Sequence, residues 1–188
     1  MDWKKKHDPE GRLTVIDTGI ASGKLGLAAR AVAEFSLDTD DPDAVIRYAK
    51  KAVEECEEYI FLDKLQYLVA GGRMSKTGAF FGDMLHVKPI VTPMPGGVVK
   101  AGIARNANDQ LTFAFKHLSE FMNNHTDAVI MLEYTDNMDW MKDHVEDPIR
   151  KQYPQARIIL QQISLTSSVH MGPGTWAIAF LPKKTRSL

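Results

Sequence analysis

The chain is poor in the features that usually reveal a function. It has a single cysteine, Cys56, in 188 residues. An internal disulfide is therefore excluded, and with it the small disulfide-stapled scaffold of secreted proteins. No uninterrupted apolar run approaches the ~20 residues a transmembrane helix needs. Met1-Asp2-Trp3 leads into lysines with no apolar stretch behind them, so no secretory signal of the usual kind is read there. These absences lead us to expect a soluble, cytoplasmic protein. An excess of one charge is also missing. Lys and Arg total 23 against 24 Asp and Glu, a formal net charge of −1, so no global field draws in nucleic acid. The basic runs Lys4-Lys5-Lys6 and Lys183-Lys184 sit at the two ends and read as solvated termini. None of the six histidines stands four residues from another, and no Cys-x-x-Cys occurs, so neither a metal nor a cofactor is expected.

What remains is an ordinary globular balance, 44% hydrophobic and 25% charged. A chain of this length buries roughly 70% of its extended surface on folding. Leu13-Thr14-Val15-Ile16 reads as a short strand, followed by a Gly-rich turn and a helix carrying Leu25, Leu27, Ala28, Ala31, Val32 and Phe35. The Asp38 to Asp43 cluster opens a second helix with Val45, Ile46, Ala49, Ala52 and Val53 as its apolar stripe. Tyr59 to Leu62 reads as a buried strand, and a short helix with Leu65, Tyr67 and Leu68 leads into Gly71-Gly72-Arg73. A helix is expected from about Lys76 to Leu85. Val87 to Thr92 and Val98 to Ile103 flank Pro93-Met94-Pro95-Gly96-Gly97 as a hairpin. Then come a helix from Asn108 to Asn123, a strand from Ala128 to Glu133, and a helix from Met138 to Lys151 that Pro148 bends or divides. Strands from Ile158 to Ile163 and Thr175 to Leu181 close the chain, separated by Ser167 to Gly174. Strands and helices alternate, which indicates an α/β fold: a layered mixed β-sheet with flanking helices.

Four places invite chemistry. Gly19 and Gly23-Lys24 hint at a phosphate-binding loop, but only three residues separate them, and Leu25 stands where the Mg²⁺-binding hydroxyl belongs. The turn can still offer free N–H groups to a carboxylate or phosphate, or simply carry Ser22 as N-cap. Cys56 sits within Glu54-Glu55-Cys56-Glu57-Glu58, where negative charge disfavours a thiolate. His170 precedes Gly172-Pro173-Gly174, and there an imidazole either donates to an anion or fixes the turn. Arg73 follows two glycines that permit close backbone approach. Its fork suits a carboxylate or phosphate ligand, or a salt bridge to a helix end, and Ser75 is placed to cap the next helix.

Taken in order, these pieces resemble the DegV family of bacterial lipid carriers. Leu68-Val69-Ala70-Gly71-Gly72-Arg73-Met74-Ser75, followed by Phe80 to Ile90, is similar to the family's Tyr-Leu, Gly-Gly-Arg and Leu-Asn-Ile-Lys-Pro pattern. Val15-Ile16-Asp17-Thr18 with Ser22 resembles its Asp-Ser/Thr-x-x-x-Ser strand end. His170-Met171-Gly172-Pro173-Gly174-Thr175 resembles its closing His-x-Gly-Pro-Gly-Thr. The resemblance implies a non-catalytic module that binds a long-chain fatty acid and presents it to a fatty-acid kinase, or to a fused dihydroxyacetone-kinase-like domain. It implies Arg73, His170, Thr18, Ser22, Gly71, Gly72, Gly172 and Gly174 as ligand-binding positions, and no catalytic residue or metal. It also implies that residues 1–188 form the carboxyl-terminal lobe of a longer protein. The family's hydroxyl-bearing Thr-Ser-Gln-Pro and Ser-x-Leu-Ser-Gly-Thr stretches, which belong to an earlier lobe, do not occur here. His86 replaces the usual Asn, and Asn106-Ala107-Asn108 follows Arg105 where the family tends to be basic. Two rival readings stand beside the carrier. One is a phosphotransferase or hydrolase using Arg73, His170 and Asp17, although no nucleophile–base pair is visible. The other is a docking or dimerisation module, in which the chain forms a homo-oligomer.

Overall fold

The structure, a computed structural model, describes residues 2–8, 10–73, 87–124 and 128–182. Its frame is one six-stranded sheet: β1 (Glu57–Phe61), β2 (Lys88–Met94), β3 (Gly97–Ala104), β4 (Ala128–Tyr134), β5 (Arg157–Gln162) and β6 (Trp176–Pro182), in the order β3-β2-β1-β6-β4-β5. All neighbours run antiparallel except β4 and β5. Chain direction demands this, because β4 and β5 are joined by a helical crossover whereas β2 and β3 form a hairpin. The hairpin turns on Pro95-Gly96, with Gly96 at φ +84°, the left-handed backbone that glycine adopts without penalty. Strand β4 is apolar at nearly every position and buried almost throughout, as expected of a strand covered on both faces.

Strand alternation sorts the core. On the first face, Phe61 and Trp176 stack with ring centroids 3.9 Å apart, beside Ile130, Ile178 and Phe180. Helix α5 (Ala107–Asn124) covers this face through Ala114, Leu118 and Phe121, helped by α6 (Met138–Met141) and α7 (Asp147–Gln152). Buried Gln110 of α5 donates to the Leu62 carbonyl at 3.0 Å and accepts from the Trp176 indole at 3.4 Å, so neither polar end is orphaned.

The second face is divided. Helices α2 (Ser22–Ser36) and α3 (Pro42–Glu55) cover one part through Leu27, Ala28, Tyr48 and Ala52. The short helices α4 (Gln66–Ala70) and α8 (Leu165–Met171) cover another, over Ile60, Leu62, Val91 and Ala177. Asp41 caps α3 by accepting the Asp43 N–H at 2.9 Å. The first helix, α1 (Asp2–His7), precedes this core.

Three expectations change. Leu13 to Ile16 is not a strand: among the described residues no neighbour pairs with it, and Leu13 and Val15 are 48% and 84% exposed. The Asp8 carboxylate holds this segment instead, accepting the Arg12 and Leu13 N–H groups at 2.7 and 2.8 Å. A β-branched run makes a strand only where a sheet edge receives it. The helix after Met138 is continuous to Gln152 but passes through a π-helical turn, Lys142–Glu146, just before Pro148. The wider turn accommodates a residue that has no N–H to give and a ring that crowds the carbonyl four residues back. The Ser167 to Gly174 connection is helical as far as Met171, as part of α8, which Ser164 opens by accepting the Ser167 N–H at 3.3 Å. The helix expected over residues 76–85, with Ser75, His86 and His125, lies outside the described residues.

Candidate functional site

Between the two helical covers of the second face lies a cavity of about 380 Å³, within the ordinary range for a small-molecule site. Ile60, Leu68, Val98 and Met171 give it an apolar floor, and Ser22, Arg73 and His170 supply polar groups at its wall. Three glycines draw its rim together. A Cβ on Gly19 would stand 2.7 Å from Pro95 of the hairpin turn, and one on Gly97 would stand 2.6 Å from the Arg73 carbonyl. A Cβ on Gly71 would strike the His170 imidazole. Each contact requires the absence of a side chain.

The structure thus brings three of the expected site residues to one place, with the turn from Gly19 to Ala21 beside them. Arg73 is exposed, and among the described residues its guanidinium donates only to the Gly71 carbonyl, at 3.4 Å. Among the described residues it forms no salt bridge, so the helix-end pairing is not made there. His170 closes the last turn of α8, and among the described residues nothing hydrogen-bonds its buried Nδ1. Thr18 and the four motif glycines do not line the cavity. The Thr18 hydroxyl accepts the Ile20 N–H at 3.5 Å. Gly72 turns the chain out of α4 at φ +65°. Gly172 lies against the Tyr67 ring, and the Gly174 N–H donates to Asp136 at 2.7 Å. Asp17, named for the enzymatic reading, is also outside the cavity and accepts the Gly19 N–H at 3.1 Å.

Ser22 is not the N-cap that its position suggests. It is the first residue of α2, at φ +59°, and Ala21 precedes the helix with no side-chain cap. Its hydroxyl donates to the Glu133 carboxylate at 3.0 Å. Buried side chains cap the helix from outside. Glu58 accepts the N–H groups of Gly23 and Lys24 at 3.2 and 3.1 Å, satisfying donors that every helix leaves free at its start.

Glu58 of β1 and Glu133 of β4 are each 1% exposed and meet across β6, where only Ala177 and Ala179 stand between them. Burial first, and the charge of Glu133 second, push the Glu58 carboxyl up to about 8. Burial raises Glu133 as well, although it accepts from Ser22, from Gln161 and from Glu58. Two carboxyls buried side by side disfavour both being ionised at once, so both stand raised. Sequence reasoning missed this pair. The available signal was a Glu at an inward position of each of two strands whose same-face neighbours are Ile60 and Met131.

Cys56 is 1% exposed, and burial, with Glu58 beside it, raises its thiol further. It is an inert core residue. Among the described residues no three His, Cys, Asp or Glu side chains gather to hold a metal, and no helix is long and apolar enough to cross a membrane.

The model of the DegV family, described as an uncharacterised protein family, matches residues 3–183. The chain belongs to the DegV family. A DegV domain-containing protein of Clostridium perfringens is 25% identical over 174 residues, covering 92% of this chain and 60% of that protein. The chain therefore spans about three fifths of the length of that DegV relative. A DegV family protein from Thermus thermophilus, described by its fatty-acid binding, superposes with a TM-score of 0.83 at 22% identity, over 94% of this chain and 63% of its own. The fatty acid kinase B3 protein of Streptococcus pneumoniae, loaded with linoleic acid, gives a TM-score of 0.79 at 19% identity, over 96% and 63%. The mixed sheet with flanking helices is thus the DegV fold, as the order of motifs along the chain implies.

Proposed function

We propose that this chain is the carboxyl-terminal lobe of a DegV fatty-acid carrier, which binds a long-chain fatty acid without chemistry of its own and presents it to a fatty-acid kinase. The observation that carries this reading is the cavity itself. An apolar floor suits an acyl chain, and Arg73 and His170 converge at one wall with donor groups that no carboxylate among the described residues occupies. Each methylene buried contributes about 0.8 kcal/mol, so the chain would supply affinity while the polar wall fixes which end of it is held. In this reading Arg73, His170 and Ser22 meet the acid head. Thr18, Gly71, Gly72, Gly172 and Gly174 act one step back, by setting the backbone path of those three.

The likeness to the linoleic-acid-loaded kinase B3 protein supports the reading and suggests the kinase as partner. The enzymatic alternative gains no support, because Asp17 is not among the residues lining the cavity and, among the described residues, nothing hydrogen-bonds the His170 Nδ1. Native mass spectrometry of the full-length protein purified from cells tests the proposal. We expect a bound acyl mass that disappears on delipidation and returns with added fatty acid. Protein that carries no acyl mass and takes none up would overturn it.

A further inference from the structure

The Ser22 hydroxyl has one proton to give, and the Glu133 carboxyl stands within hydrogen-bond distance to accept it. Ser22 lines the cavity, yet its hydroxyl donates inward to Glu133 Oε2 at 3.0 Å. Glu133 is sealed from water at 1% exposure and sits against Gly23, where an added Cβ would come within 2.5 Å of the same oxygen. The Ser22 backbone is held at φ +59°, alone among the described non-glycine residues in that region. Such a conformation persists where surrounding contacts impose it. Glu58 provides those contacts by gripping the next two N–H groups. The groups facing the two carboxyls include the Gly23 and Lys24 backbone N–H groups on α2, the Cys56 thiol at the end of α3 and the Gln161 amide on β5.

We propose that Glu133 is a positioning residue which commits the Ser22 proton inward, so that Ser22 meets a cavity ligand as a hydrogen-bond acceptor and the site selects a head group able to donate. A protonated carboxylic acid or a primary amide satisfies that wall, since its carbonyl can accept from Arg73 while its O–H or N–H donates to Ser22. A fully ionised head without a proton does not. For such a head to be met, Ser22 must withdraw its proton from a buried carboxylate. A hydrogen bond to a charged group of this kind is worth roughly tenfold to a hundredfold in affinity. The inference rests on the proposal that the cavity holds an acyl head, and it adds the polarity of that contact.

The test compares palmitamide with the alkyl sulfonate of equal chain length, binding each to delipidated full-length protein by calorimetry. Neither probe titrates near neutral pH, and the sulfonate has no proton to give. We expect the amide to bind at least about tenfold more tightly. Glu133→Met keeps the side chain's bulk but removes the acceptor, freeing the Ser22 proton, and should narrow the preference by raising sulfonate affinity. Ser22→Ala should also abolish the preference, but by lowering amide affinity, and it serves as the second variant if Glu133→Met does not fold. Equal binding of the two probes by the unmodified protein overturns the inference and leaves the carrier reading standing. A preference that survives both variants overturns it as well. Failure of either probe and of palmitic acid to bind overturns the carrier reading, and this inference with it.

Discussion

Raising the pH should destabilise this protein through Glu58, and replacing Glu58 with glutamine should remove the effect. Burial and the neighbouring Glu133 push the Glu58 carboxyl up to about 8 from an ordinary value of 4.5. The folded chain therefore keeps a proton that the unfolded chain releases across that window. When the folded state binds the extra proton, stability falls as pH rises, at about 1.4 kcal/mol per pH unit. From about pH 6 to about pH 8 the loss should reach roughly 2–3 kcal/mol, the slope flattening as the carboxyl itself ionises. Against a typical total of ~5–15 kcal/mol this is a large fraction. For a chain of 188 residues it corresponds to a fall in Tm of about 5–10 °C. Thermal unfolding followed by circular dichroism at several pH values reads it directly. Glu58→Gln keeps the shape of the protonated acid and cannot titrate, so its Tm should be nearly level over the same range. A flat profile in the unmodified protein, or an identical slope in the variant, would refute the reasoning.

Further outcomes follow from the cavity and the core. Arg73→Ala in the full-length protein should weaken fatty-acid binding by roughly 1.5–3 kcal/mol, measured by calorimetry, with the far-ultraviolet circular dichroism unchanged because the side chain is exposed. Gly71→Ala should weaken binding as His170→Ala does, since the new Cβ must displace the imidazole. If Gly71→Ala binds normally, the ring position is irrelevant to the ligand. Trp176→Ala should cost about 3–5 kcal/mol in urea unfolding, because it removes the stack on Phe61 and a donor to Gln110.

Much of the fold was legible because the signals were local. Pro95-Gly96 between two β-rich runs is a hairpin on any reading, and the apolar stripe of Val45, Ala49 and Ala52 is a helix face. Arg73 and His170 were legible because glycines beside them mark close approach, and the folded chain does press Gly71 against His170. Leu13 to Ile16 misled because strand propensity carries no information about whether a partner edge exists. Helix α8 was hidden by its brevity and by the Gly-Pro-Gly that follows it. The Glu58–Glu133 pair was illegible for a deeper reason. Two carboxylates separated by 75 positions look like ordinary surface charge until the sheet order lays β6 between them. Ser22 was noticed for the right place and the wrong bond, since its partner comes from β4 and not from its own helix.

The alanines of β6 have a consequence for how this lineage can change. Gly23, Glu58, Glu133 and Ala179 come from four different elements and touch in one knot, with the Gly23 and Ala179 Cβ positions only 3.1 Å apart. A larger residue at either small position would drive the two acids apart or lift the start of α2 from the sheet. An apolar residue in place of one acid would leave room and end the pairing of the two carboxyls. Substitutions at these four sites should therefore be inherited jointly. Among DegV sequences, a bulky residue at the position of Ala179 should accompany the loss of at least one of the two glutamates, and lineages carrying both should keep the small residues.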